Sequence, residues 1–480
     1  MRELFLVLIP LAGACFAALW PSERTRPWFL PVISAIHTLL ISWLLINPPE
    51  VLFHSWMGFD PLARAILPVI SLLFLVCSIY GIPYLKIHKE RKNRVFVSVI
   101  LASLGLISAA HMSRHLGLLW IATEGLTLCF VPLIHFSNKP RAIEATWKYL
   151  LVSATGIALS LLGSFCLGYA SLHGGGQGDL TFTALIAQAA SLSRPWVLIA
   201  WVLILVGYGT KMGLVPMHAW KPDAYGEAPS MAGALLAGGV SSVAFLALLR
   251  VRSVVAAAGA GVIADRTLLF LGLLSMVLAA FFLLSTNNFK RMLAYSSIEQ
   301  MGILCIGASL GAVGLWAAFF HLWNNCMAKG AIFLSAGNLQ RGAGSCTTAD
   351  AKGLFLIMPH SSLLFMAGLF AITACPPFGL FFSELMIIKN AFFSGYPWVA
   401  VLFLFALMLA FFGLTRIVFS VVYGRPKTNS KQLCTKYCEK PATLLPSLIL
   451  IGAVLFLGLC IPNPLRQIWS DAVQQLIPNL

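Results

Sequence analysis

The sequence predicts an all-α polytopic membrane protein of about 14 transmembrane helices, and three observations carry that expectation. Of 480 residues, 59% are hydrophobic and only 10% charged, far from the balance of a soluble domain. Mean hydropathy is +0.88. Apolar runs long enough to cross a bilayer recur from end to end, with only short loops between them.

In chain order, spans are expected at about 3–20, 28–46 and 62–85, an N-terminal three-helix segment over 1–94. The run from Phe5 to Trp20 has no small-residue cleavage site and another span follows it, so it reads as a retained helix rather than a signal peptide. Spans at 95–111, 116–136, 145–171, 196–217 and 229–250 make a first five-helix unit over 95–253. Spans at 267–286, 290–309, 312–337, 355–393 and 397–423 make a second over 254–423. A loop and a last helix at 442–462 fill 424–480.

Two of these spans are expected to be broken. The seventh carries Lys211 in an apolar run, with Pro216 five residues on. A charge at the centre of a membrane helix costs about 2.5–3.5 kcal/mol on insertion scales, and proline removes a backbone donor. Freed backbone at that depth is tolerated only where protein or a wet cavity satisfies it. The pair therefore suggests an ion path, the alternative being a lysine snorkelling from a helix end. The twelfth span is too long for one straight helix and holds Pro376 and Pro377. The breaks lie five spans apart, an odd number, so the two units would enter the membrane from opposite sides. Inverted repeats with discontinuous helices at matched places are a transporter signature.

Loop charge sets the orientation. The odd-numbered loops hold 19 of the 32 lysines and arginines, Lys221 and Lys290 among them; the other side holds 8, including Arg250 and Arg252. The richer side is expected to be cytoplasmic, with both termini outside. This accounts for most of the +16 net charge and excludes a nucleic-acid reading, because the charges sit in membrane-protein loops. The run 86–94 reads as a topology anchor or a contact for anionic lipid. The 11 cysteines form no C-x-x-C, and Cys434 with Cys438 lacks further ligands. The glycines at 174–178 are not followed by Lys-Ser/Thr, so no nucleotide loop is visible. No cofactor is expected in this chain.

What remains is a set of ionisable residues at membrane depth: Glu124 in the fifth span, Lys211 in the seventh, Glu299 in the tenth, His321 and Lys329 in the eleventh, and Glu384 after the double proline. His321, Asn325 and Lys329 are spaced i, i+4, i+8, so they share one helix face. Such stripes face a bundle interior or a water-filled cavity, although any single member can be helix–helix glue. A relay of Lys211, Lys329 and Glu384 could pass protons along water chains. Moving one charge through 100 mV takes about 2.3 kcal/mol, which about two pKa units supply at 1.36 kcal/mol each.

KRMLAYSSIEQMGIL, HLWNNCMAKGAIFLSAG, CPPFGLFFSELMI and GTKMGLVPMHAWKPDAYGEAPS resemble the antiporter-like membrane subunits shared by respiratory complex I, Mrp cation/proton antiporters and membrane-bound [NiFe] hydrogenases. The resemblance covers about residues 60–425 and is nearest the hydrogenase-4 component F type, related to complex I subunit M. Glu299 within SSIEQMG and Glu384, where another branch has lysine, favour that type. The resemblance implies a path through Glu124, Lys211, Lys329 with His321, and Glu384, in which Glu124 modulates Lys211. The family often has an eighth-span lysine where Ser242 stands, so the path there would need Ser241, Ser242 or water. His218 and Asn325 are further candidates.

The implied function is a proton-translocating subunit, with Na+ as the alternative ion, of a group 4 [NiFe] hydrogenase or formate hydrogenlyase-type complex. Other readings are an Mrp-type or complex I-like subunit, or a non-conducting membrane anchor. Expected partners are other integral membrane subunits and a peripheral redox arm holding nickel–iron and iron–sulfur centres. The expected location is the cytoplasmic membrane of a prokaryote.

The loop charges yield a direct test. A cysteine replacing Lys92, with native thiols blocked, should react with an impermeant maleimide only from the cytoplasmic side; labelling from outside intact cells would reverse the orientation.

Overall fold

The computed structural model describes residues 2–49, 55–87, 91–425 and 439–477. Lys89, Lys427, Lys431, Lys436, Cys434 and Cys438 lie outside the described residues. Among the described residues the chain is helical, apart from isolated bridges such as Met57 with Ser113 and Asn288 with Thr347.

The N-terminal segment comprises α1 (Phe5–Leu19), α2 (Phe29–Ile46) and α3 (Pro61–Ile87). Next come α4 (Arg94–Met112), α5 (Leu116–Ile134), α6 (Pro140–His173), the short α7 (Phe182–Ala187) and α8 (Arg194–Met212). After a turn follow α9 (Trp220–Glu227), α10 (Ser230–Leu235), a π-helical turn Leu236–Val240 and α11 (Ser241–Val255). Then come α12 (Gly261–Ser285), α13 (Phe289–Ser309), α14 (Gly311–Ala343), α15 (Pro359–Ile372), α16 (Gly379–Phe393) and α17 (Pro397–Tyr423). The chain ends in α18 (Pro441–Leu459) and α19 (Asn463–Leu476).

Among the described residues, ten helical segments are long and apolar enough to cross a membrane, the stretch Ser230–Ser285 counting as one. The helices α13 and α14 have the length but not the apolarity, because Lys290, Arg291, Glu299, His321, Asn325 and Lys329 interrupt them. They need less of it. Nearly every residue of α14 from Gly314 to Leu339 is buried by protein, so lipid does not solvate its polar face. It packs against α3, α10, α13, α15, α16 and α18, at the centre of the bundle. The outer helices turn large apolar residues outward, such as Phe405 and Phe412 on α17 and Leu448 and Phe456 on α18.

Loops expected on one side meet one another. At one end Arg26 donates to Asn93 at 2.6 Å and Arg91 to the Ser137 carbonyl at 2.7 Å. At the other end the Arg114 amide donates to the Trp56 carbonyl at 2.8 Å, and the Leu116 amide to Leu180 at 3.0 Å.

Arg250 and Arg252 depart from the sequence reading, which set both among loop charges. Both are buried in α11. Each has an acidic partner that the composition could not pair with it: Arg252 Nε lies 2.5 Å from Asp265, and Arg250 forms a fork on Asp60 at 2.7 and 3.0 Å. Asp60 also accepts from the Ala63 amide and from Gln475 of α19. One carboxylate thus ties the entry to α3, the end of α11 and the C-terminal helix. Burial opposes its charge, but Arg250 and the other donors outweigh that and hold Asp60 below its ordinary range.

Arg250→Met should leave a buried carboxylate unpaired, at a cost of about 3–5 kcal/mol, read as a lowered unfolding temperature of the solubilised protein. Because the folded-state value is depressed, the stabilisation from Asp60 is present above its unfolded value, about 3.9, and is lost as pH falls through the folded one. An unfolding temperature unaffected by Arg250→Met would remove the pair from the account.

Candidate functional site

The first break starts earlier than proline alone would place it. Helix α8 ends at Met212, one residue past Lys211, and Gly213 turns the chain with φ +80° before Pro216 is reached. That left-handed angle suits glycine, and an added Cβ would also stand 2.6 Å from the Lys221 side chain. The carbonyls that the break frees are met by side chains: Trp220 Nε1 donates to Thr210 at 2.9 Å, and Lys221 Nζ to Met212 at 2.8 Å. The amide of Val215 donates to Ser275 Oγ at 3.0 Å.

Lys211 is buried. Its ammonium donates to Thr127 Oγ1 and lies 5.4 Å from the ring centre of Tyr149, a cation–π contact. Thr127 in turn donates to Glu124 Oε2 at 3.3 Å. The lysine and the half-buried glutamate are therefore linked through a hydroxyl rather than by direct contact, each still within reach of the other's charge.

The second break separates α15 from α16 by six residues, Thr373 to Phe378, with Pro376 and Pro377 inside it. Gln300 Nε2 donates to the carbonyl of Ile372, the last residue of α15, at 3.4 Å. The break also backs onto α18, where a Cβ on Gly458 would stand 2.0 Å from the Pro377 carbonyl. Glu384 follows on α16, buried, with no hydrogen-bond partner on either oxygen among the described residues, beside Gln300 and Glu299. Its neighbour Ser383 meets His321 Nδ1 at 2.9 Å.

Between the breaks stands Lys329 on α14, fully buried, its Nζ 2.6 Å from Ser296 Oγ of α13. Glu299, one turn on, is within reach of its charge and has an unpartnered Oε2. Among the described residues both amide atoms of Asn325 also lack partners. The expected α14 stripe of His321, Asn325 and Lys329 is present and buried. Ser241 and Ser242 are buried too, but their hydroxyls bond carbonyls of their own helix, Leu236 at 3.3 Å and Gly239 at 2.7 Å. His218 lies apart, on the partly exposed turn of the first break, its ring 5.8 Å from Phe282.

Sequence reasoning missed two buried amines. Lys221 and Lys290, read as loop charges, are 0% and 1% exposed. Each serves backbone that a break leaves open: Lys221 donates to Met212, and Lys290 donates to the Ala228 carbonyl at 2.5 Å. The polar run WKPDAYGE looks like a loop to any hydropathy window, yet it folds as α9 inside the protein. A lysine four residues before Tyr225 on one helical face was the available signal. Thr127, Tyr149, Ser296 and Ser383 were missed as well. Among the described residues no group of three His, Cys, Asp or Glu side chains is placed to hold a metal ion.

The arrangement is a row of buried amines, carboxylates and hydroxyls running through an apolar helical bundle. Comparison with known proteins gives it a family. A family profile described as NADH:quinone oxidoreductase/Mrp antiporter, TM, matches residues 113–410. The chain belongs to this family of antiporter-like membrane proteins. It is 30% identical over 449 residues to the hydrogenase-4 component F homolog of Methylacidiphilum infernorum, covering 91% of this chain and 93% of that protein. It is 28% identical over 433 residues to NADH-quinone oxidoreductase subunit N of Desulforudis audaxviator, covering 87% and 84%. Among solved structures, a chain of the membrane-bound sulfane sulfur reductase, an archaeal respiratory membrane complex, superposes with TM-score 0.89 at 23% identity over 99% of this chain and 97% of that one. A chain of the Mrp complex from Dietzia sp. does so with TM-score 0.86 at 18% identity over 99% and 97%. At these identities the structures share the fold.

The packing of the second break is open to test. Gly458→Ala should push backbone of the break away from α18, costing about 1–3 kcal/mol as overpacking does. The expected readout is a lower unfolding temperature, although no polar side chain is changed; an unchanged value would show that the contact is slack.

Proposed function

We propose that this chain is a proton-translocating membrane subunit, with Na+ as the alternative ion, of a multi-subunit oxidoreductase. The observation that supports it best is the row itself: Glu124, Thr127, Lys211, then Lys329 with Ser296 and Glu299, then Glu384 with Ser383 and His321, all inside a bilayer-sized bundle. Ionisable groups at such depth are retained for ion movement far more readily than for stability. In this reading Lys211 takes a proton when Glu124 is close and yields it when that partner is withdrawn. Lys329 stands on the central axis, and Glu384 is the exit.

The reading extends to organisation. Fourteen spans form a three-helix lead, two inverted five-helix repeats at 95–253 and 254–423 broken at their fourth helices, and a last helix. The ends of α8 at Met212 and of α15 at Ile372 support breaks at these fourth helices. The chain sits in a prokaryotic cytoplasmic membrane with both termini outside. Its partners are other integral membrane subunits and a peripheral redox arm that carries nickel–iron and iron–sulfur centres, as in a group 4 hydrogenase or formate hydrogenlyase. The 30% identity to a hydrogenase-4 component F homolog favours that assembly. An Mrp-type antiporter subunit is the second reading, favoured by the fold shared with the Mrp complex. Mass spectrometry of the gently solubilised complex separates them: nickel and iron–sulfur subunits in the first case, small membrane subunits alone in the second.

Lys211→Ala is expected to cut ions translocated per turnover in vesicles holding the assembled complex at least tenfold. Lys211→Arg should fail likewise, because arginine does not give up its proton. Glu384→Gln should lower translocation while assembly persists, and Glu124→Gln should weaken it less. Full pumping by Lys211→Arg would reduce the lysine to a fixed charge and end its role as carrier.

A further inference from the structure

Between Lys211 and Lys329 the path has a gap. On α11, which packs against α8 and α13, Ser241 and Ser242 donate their hydroxyls to carbonyls of the preceding turn. A further ionisable side chain reaches this region from another element. Lys221 enters from α9, is 0% exposed, and donates to the carbonyl of Met212, the residue next to Lys211. Its stem lies against Gly213, whose φ of +80° suits glycine. Its Nζ stands 5.5 Å from the ring centre of Tyr225, one helical turn on. The Tyr225 hydroxyl is buried without a hydrogen-bond partner and stands beside Ser241 and Ser297. Ser297 adjoins Ser296, which holds Lys329, and the charge of Lys329 reaches Lys221.

We propose that Lys221 is the proton-carrying amine that joins Lys211 to Lys329, with the Tyr225 hydroxyl as the station between it and the Ser297–Ser296 edge of α13. The proposal rests on the translocation reading above. As a mere cap on α8, Lys221 would need only a donor, which an uncharged side chain supplies. A buried amine without a carboxylate partner adds something else: it can exist as a neutral base as well as a cation, which arginine cannot. The transfer balances. An N–H bond of the Lys211 ammonium breaks as one forms on the neutral Lys221 amine. The Lys221 ammonium then protonates the Tyr225 oxygen as that hydroxyl releases its own proton toward Lys329. Each amine returns to its starting state once the proton has moved on.

The test uses vesicles carrying the assembled complex and reads protons translocated per turnover with a trapped pH dye, alongside the amount of assembled complex. Lys221→Arg keeps the charge and the donor to Met212, and is expected to lose translocation at least tenfold; Lys221→Met should do the same. Wild-type translocation in Lys221→Arg would make the residue a fixed cap and overturn the proposal. If neither variant assembles, Tyr225→Phe decides it: the change removes a single oxygen and no charge, and keeps the ring packed against Trp220 and Phe333, so the fold should persist. Translocation should then fall at least severalfold, and an unchanged rate would overturn the relay. Lys211→Ala is the control. If that variant pumps normally, the translocation reading itself fails; if it is inactive while Lys221→Arg pumps, only the present inference falls.

Discussion

A helix broken at membrane depth must find partners for its own backbone, since lipid supplies none. In this chain a buried amine does so at the first break: Lys221 donates to the Met212 carbonyl, at the negative end of α8. The contact serves two needs. It satisfies a freed carbonyl, and it gives the amine an acceptor in a site where, among the described residues, no carboxylate lies within ion-pair distance of it. With Trp220 on Thr210, it holds α9 inside the bundle, and α9 in turn carries Tyr225 toward α11 and α13.

The second break answers the same constraint with neutral groups. Gln300 reaches the Ile372 carbonyl, and α18 closes the back of the turn so tightly that Gly458 has no room for a side chain. The difference in chemistry fits a difference in charge along the row. Amines dominate near the first break, whereas Glu299 and Glu384 lie near the second. Lys329 stands between them, bound to Ser296 and in reach of Glu299. The interior is thus polarised from one broken helix to the other, and the helices that carry this polarity, α13 and α14, are those that protein shields from lipid.

Much of this was legible in the sequence. Hydropathy gave the class, because burial in lipid demands apolar runs that nothing else requires. The prolines marked both breaks, and the spacing of His321, Asn325 and Lys329 marked the face of α14. What stayed hidden was the meaning of polar residues beyond a break. Lys221 and Lys290 looked like orienting loop charges, since a window average cannot tell a loop from a short helix folded inward. Arg250 and Arg252 misled for another reason: their acidic partners, Asp60 and Asp265, lie 190 and 13 residues away, and only the fold pairs them. The Thr127 bridge between Lys211 and Glu124 was invisible because a threonine in a membrane helix ordinarily bonds its own backbone; Thr127 shares its one hydroxyl proton between the Thr123 carbonyl and Glu124.

In the proposed function this polar row is a wet path rather than a set of isolated structural contacts. The buried atoms of Asn325, Glu299, Glu384 and His321 that lack protein partners are where water belongs, because such groups are almost always satisfied. A cryo-electron microscopy map of the assembled complex, at a resolution that shows ordered water, tests this directly. The account predicts water density linking Lys211 and Lys221 through Tyr225 to Lys329, and on from Glu299 to Glu384. Apolar side chains packed shut across that line in every state of the complex would contradict it.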